Sequence, residues 1–170
     1  MGVIFDLDNT LINSSIAYQL RKKRLWEEVY KVIPNFLLYD DILEILNFLN
    51  NKNIELVIVT SSPRSYCKKV IEYFNIPVNN LICYHDTINH KPNSEPIIKA
   101  IEKYLNSEKM IFSFGDDIKD IEASKHEKIH SVACLWGSTN QEILKNSNAD
   151  FICKTPQDMF SLLKKYVEFL

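Results

Sequence analysis

The order of its apolar runs constrains this chain more than any other feature. Short runs of strand character, at Val3–Phe5, Leu56–Val59, Leu81–Cys83, Met110–Phe112, Val132–Leu135 and Phe151–Ile152, alternate with longer amphipathic stretches. In residues 41–49, Ile42, Ile45, Leu46 and Leu49 recur at spacings of three and four and so share one helical face. Residues 64–74, 96–105, 117–125, 139–146 and 156–169 read the same way. Strand and helix in regular alternation predict an α/β fold, a parallel sheet with helices on both faces. Strands covered on both sides are expected to be this short and this apolar. Right-handed crossovers then bring the strand ends to one edge of the sheet, where open α/β folds bind ligands.

A length of 170 residues suffices for one ordinary core and not for two, so a single domain over 1–170 is expected. A hydrophobic share of 46% against 25% charged residues excludes a disordered chain. The net charge of -2 gives no bulk attraction to nucleic acid or anionic membrane. Val3–Phe5 runs into Asp6 without space for a signal-peptide core, and no run is long enough to span a membrane, so a cytoplasmic protein is expected. Cys67, Cys83, Cys134 and Cys153 stand far apart, which argues for buried thiols over a zinc site or redox pair. With three glycines in the whole chain, neither GxxxxGK[ST] nor GxGxxG is present, which excludes those two nucleotide-binding routes.

Polar residues gather at the predicted strand ends. Asp6-Leu7-Asp8-Asn9-Thr10 follows the first strand and Thr60-Ser61-Ser62-Pro63 the second. His90-Lys91-Pro92 precedes the fourth, and Gly115-Asp116-Asp117 with Asp120 follows it. A phosphate dianion repels nucleophiles, so a site acting on it needs a metal and fixed donors. Asp6 and Asp116 offer oxygen ligands suited to magnesium. A carboxylate can also attack phosphorus, and Asp8 is suited to protonate a leaving alcohol and then deprotonate water. Thr60, Ser61 and the N–H groups of the following helix are suited to phosphate oxygens, and Lys91 adds charge. Arg64 is a candidate clamp for a second anionic group of the substrate.

These four segments, in this order, resemble the motifs of the haloacid dehalogenase (HAD) superfamily. Asp6-Leu7-Asp8-Asn9-Thr10 is similar to its DxDx[TV], Thr60 to its strand-ending Thr or Ser, Lys91-Pro92 to its Lys-Pro, and Gly115-Asp116 with Asp120 to its GDxxxD. The resemblance implies a Rossmann-like three-layer sandwich with strand order 5-4-1-2-3. It also implies Asp6 as nucleophile, Asp8 as acid/base, and Mg2+ held by Asp6, Asp116 and the main-chain carbonyl of Asp8. Asp120 would orient metal waters or Lys91. Asn9 stands where Gly is frequent and Asp117 where Ser or Thr is frequent, so Asp117 competes with Asp116 as ligand; register with Gly115 favours Asp116. A second aspartate at position 8 favours phosphoester chemistry over dehalogenation.

Only a short helical insert, at about 12–38, remains to act as a cap, with one helix expected from about Ser15 to Ile33. The expected activity is a magnesium-dependent phosphatase working through an aspartyl-phosphate on Asp6. An open site suits a small phosphorylated molecule, especially if a second subunit closes it, or an exposed phosphoester on protein or nucleic acid. Arg21-Lys22-Lys23-Arg24 would favour a polyanion if it faced the site, although a solvated helix face is the more ordinary role of such a run. A non-catalytic binding module on the same fold is the alternative of a different class. Tyr84-His85-Asp86 and His90 are explained as well by loop packing.

Overall fold

The computed structural model describes residues 1–168. Its centre is a six-stranded parallel sheet: β1 (Gly2–Phe5), β4 (Glu55–Val59), β5 (Asn80–Ile82), β6 (Ile111–Gly115), β7 (Ile129–Cys134) and β8 (Phe151–Cys153). Their spatial order is β5-β4-β1-β6-β7-β8. Numbered by themselves in chain order, the central five run 5-4-1-2-3 as expected, and β8 widens the sheet by one strand beside β7.

Alternation along each strand separates two apolar layers. Val3 and Phe5 of β1 join the side chains of α3 (Ile42–Asn51), α4 (Arg64–Phe74) and α8 (Pro156–Val167). Ile4, Val57 and Val59 face Ile97, Ala100 and Ile101 of α5 (Glu95–Tyr104) and Ala123 of α6 (Ile118–Ala123). The expected face of residues 41–49 is fully buried: Ile42, Ile45, Leu46 and Leu49 have no exposure. Burial of each such side chain contributes roughly 1.5–3 kcal/mol. The helix predicted at the C-terminus ends at Val167 in the structure, and its expected last residue, Phe169, lies outside the described residues.

The insert departs from expectation. In place of one helix it has two short ones, α1 (Tyr18–Lys22) and α2 (Trp26–Val32), with single 3-10 turns at Ser15–Ala17 and Ile33–Asn35. It is tied off by an antiparallel pair, β2 (Ile12–Asn13) with β3 (Leu37–Leu38). The break has a local cause. Arg24 adopts a left-handed φ of 56°, while Leu25 N–H bonds Leu20 O at 3.0 Å and Arg24 N–H bonds Arg21 O at 2.9 Å. This is the glycine-type helix stop, built here on an arginine.

From β1 the chain passes to β4 and β5 on one side, then returns to β6 on the other. The loops beyond the carboxyl ends therefore part at β1 and open a crevice there. Helix α7 (Gln141–Lys145) fills the β7-to-β8 crossover.

Candidate active site

The loop after β1 is held from several directions. Asp6 N–H continues the ladder to Phe114 O at 2.9 Å, and Leu7 and Leu11 are wholly buried beneath the loop. Asn9 turns the chain with φ 65°, a left-handed position that asparagine tolerates better than most side chains. Asn9 N–H bonds Ile12 O at 2.6 Å and Ile12 N–H bonds Leu7 O at 3.3 Å, so neither bond uses the Asp8 carbonyl. Gly137, after β7, packs against this turn: a Cβ there would lie 1.6 Å from Asn9 O. Trp136 Nε1 donates to Thr10 O at 3.1 Å, a role beyond covering apolar surface.

Thr10 is fully buried and donates its hydroxyl to Asp116 Oδ1 at 2.9 Å. Asp116 follows β6, and the next four residues bring Asp120 back to it through a reciprocal cap. Asp117 accepts Lys119 N–H at 2.9 Å, while Asp120 Oδ2 accepts Asp117 N–H at 3.1 Å. Gly115 makes this possible, because a Cβ there would sit 2.2 Å from the Cβ of Asp120. The spacing Gly-Asp-x-x-x-Asp thus has a steric reason as well as a chemical one.

Lys91 reaches the centre from the loop before α5, where its peptide bond to Pro92 is cis. Its ammonium donates to Asp6 Oδ1 at 2.6 Å and Val59 O at 3.0 Å and pairs with Asp120 Oδ1 at 2.6 Å, which occupies all three of its donors. Oxygen atoms of Asp6, Asp116 and Asp120 lie within 4.8 Å of one another. Both Asp120 oxygens are already engaged, whereas Asp6 and Asp116 each keep one oxygen with no hydrogen bond to the described residues.

Three carboxylates around one ammonium leave an excess of negative charge in a largely buried site. Burial pushes Asp6 up to about 7, against the opposing pull of Lys91, with Asp120 and Asp8 adding to the rise. Burial, then Asp6 and Asp120, push Asp116 up to about 9. Burial disfavours the charge on Lys91, but Asp120 and Asp6 outweigh it and raise its proton affinity. Such a cluster has the donor chemistry of a hard divalent cation.

Asp8 lies beside this cluster in a nest of hydroxyls. Ser14 donates to its Oδ1 at 2.6 Å, Tyr66 to the same oxygen at 2.5 Å and Ser62 to Oδ2 at 2.8 Å. Arg21 Nη1 stands 3.2 Å from Oδ1 and also donates to Ser14 O at 2.8 Å. Thr60 is buried at the end of β4, its hydroxyl accepting Ser62 N–H at 3.1 Å.

Asp6, Asp8, Thr60, Ser61, Lys91, Asp116, Asp117 and Asp120 all line one cavity of about 520 Å³. Arg64, expected there, is turned away by Asp86 (2.5 Å) and Leu81 O (3.0 Å) and does not line the cavity. Asp117 is exposed and spent on its helix cap, which leaves Asp116 in the cluster. Arg21, Lys22 and Arg24 do face the cavity, as do Tyr84 and His85, whereas His90 stacks on Tyr84 with centroids 3.9 Å apart. The hydroxyl partners of Asp8 escape sequence reasoning. Tyr66 sits at helical spacing and reads as core, and Ser14 and Ser62 are ordinary loop residues.

The sequence pattern of the haloacid dehalogenase-like hydrolase family matches residues 18–134. A protein of Caldanaerobacter subterraneus subsp. tengcongensis named as a pyrophosphatase, PpaX, is 30% identical over 207 aligned positions, covering 96% of this chain and 93% of that one. The aligned positions outnumber the residues of this chain, so the relative carries segments that are lacking here. A phosphoglycolate phosphatase of Salmonella typhi is 24% identical over 150 residues, 83% of this chain but only 58% of the relative's length. In fold, a hydrolase from Pseudomonas syringae superimposes with a TM-score of 0.78 at 18% identity, covering 96% of this chain and 98% of that one. Family pattern and fold agree with the order of the strand-end motifs, and the chain belongs to the haloacid dehalogenase-like hydrolases.

Proposed function

We propose that the chain is a phosphatase that hydrolyses a phosphate monoester through an aspartyl-phosphate on Asp6. The observation that carries this reading is the state of Asp6: Lys91 pins one carboxylate oxygen at 2.6 Å, and the other, beside Asp116, has no hydrogen-bond partner among the described residues. The named activities of the two relatives, pyrophosphatase and phosphoglycolate phosphatase, support the same reaction class.

In this reading the Asp6 oxygen attacks phosphorus and the bond from phosphorus to the ester oxygen breaks. Asp8 delivers its proton to the departing oxygen. Asp8 then takes a proton from the water that attacks the phosphorus of the acyl-phosphate, which frees inorganic phosphate and restores Asp6. To do so, Asp8 exchanges one of its hydroxyl partners for the substrate. Lys91 offsets charge on Asp6 and the transferred group, and Thr60 and Ser61 border the phosphate position.

The unpartnered oxygens of Asp6 and Asp116, with the Asp8 carbonyl, fit Mg2+, and Asp120 holds Lys91 in place. Bound there, Mg2+ would neutralise phosphate charge. A cytoplasmic site of action agrees with four buried, unpaired cysteines. Among the described residues no helix is long and apolar enough to cross a membrane.

The test is hydrolysis of an aryl phosphate with and without Mg2+, in the native chain and in Asp6→Asn. Metal-dependent turnover that disappears in the variant is expected. Inertness across a broad phosphoester panel, or an Asp6→Asn protein that still turns over, would sink the proposal.

A further inference from the structure

The cavity that holds the acidic cluster is also lined by exposed cations. Lys22 and Arg24 come to it from the insert and Lys119 from the first turn of α6. The inner cations are already committed: Lys91 to Asp6 and Asp120, Arg21 to Asp8. Lys22, Arg24 and Lys119 form no ion pair among the described residues. Arg24 is held instead by an aromatic ring. Its Nη2 donates to the Tyr84 hydroxyl at 3.1 Å, and its guanidinium carbon lies 5.4 Å from the ring centroid. An aromatic partner fixes a guanidinium in place without neutralising it, and leaves most of its donors free.

Unpaired cations lining one cavity repel one another and draw an anion between them. The scissile phosphate belongs at Asp6 and Lys91, deeper in the cavity. Resting on the phosphatase reading, we infer that Lys22, Arg24 and Lys119 select small phosphorylated compounds whose leaving group carries a second anionic group, a carboxylate or a further phosphate. Arg64, the clamp expected from sequence, is neutralised by Asp86 and stands outside the cavity. The volume of about 520 Å³ has room for two anionic groups and a short linker.

The experiment compares kcat/KM of the full chain, with Mg2+, on ethyl phosphate, 2-phosphoglycolate and pyrophosphate. Charge-assisted contacts predict that one of the two dianionic-ended compounds exceeds ethyl phosphate by roughly 10- to 100-fold. Which of them does so distinguishes carboxylate from phosphate. In Arg24→Met, and in Lys22→Met combined with Lys119→Met, that ratio collapses toward one, mainly through KM, while Lys119→Arg retains it. Turnover of ethyl phosphate and an aryl phosphate with no preference for a second anion overturns the inference alone. So does a preference that survives the substitutions. Inertness on every compound overturns the phosphatase reading with it.

Discussion

The strand-end loops and the insert face each other across one cavity, yet they are held in opposite ways. Around Asp6 every backbone turn is braced by distant chain: Gly137 packs on Asn9, Thr10 bonds Asp116, and Lys91 spans Asp6 and Asp120. The insert pairs only two residues with two in its sheet, is joined to the rest by single polar side-chain contacts such as Arg21 to Asp8 and Arg24 to Tyr84, and leaves Ile16, Tyr18, Leu25 and Leu37 about half or more exposed. Under the proposed reading, chemistry that needs sub-ångström placement is assigned to the braced side, and charge that need only be nearby to the loose one.

The comparison breaks most sharply at Asp6. Asp6→Asn should lower kcat/KM by roughly a thousandfold or more with little change in Tm, read by steady-state kinetics beside thermal melting. Retained turnover would remove the braced side's claim to the chemistry. Next comes Gly137→Ala, whose new methyl meets Asn9 O. About 1–3 kcal/mol of stability and a Tm drop of roughly 2–12 °C are expected from such overpacking. An unchanged melt would show that the loop yields.

Charge crowding gives the third test. Asp6 and Asp116 hold protons more tightly folded than their ordinary value of 3.8, at about 7 and about 9. Their contribution to the metal-free fold is fully present below about pH 4 and is lost progressively as pH rises, by about 7 for Asp6 and about 9 for Asp116. Tm in chelator should therefore fall from about pH 4 to about pH 9, and Mg2+ should flatten the profile. A chelated protein with no such fall would contradict the crowding.

Tyr66→Phe removes one of three hydroxyl donors to Asp8, and a fall in kcat of roughly 3- to 10-fold with about 1 kcal/mol of stability is expected. The smallest effect belongs to the insert: Leu37→Ser should change stability by less than about 0.5 kcal/mol in a urea titration. A larger loss would mean that the insert is braced after all.

The same contrast governs what could be read in advance. Asp6, Asp8, Lys91 and Asp116 were legible because apolar strands run straight into them, and both strand and motif are local patterns. Strand order beyond β7 and the boundaries of the helices depended on packing. The break at Arg24 was hidden because helix stops are recognised by Gly or Asn, and here an arginine takes the left-handed position. Arg64 misled because the sequence places it directly after Ser61-Ser62-Pro63 but gives no sign that Asp86 would turn it aside. Tyr66 was missed for a related reason: burial hides its ring among core residues while its hydroxyl emerges beside Asp8.

The contact of Gly137 and Trp136 with the first loop also bears on how the protein is made. Trp136 bonds Thr10 O across 126 positions of sequence, and Gly137 fills the space against Asn9. As the chain is made, the segment bearing Asp6 is therefore synthesised long before the residues that complete its surroundings. A nascent chain halted before residue 136 would carry all four motifs and still lack the wall that shapes the first of them.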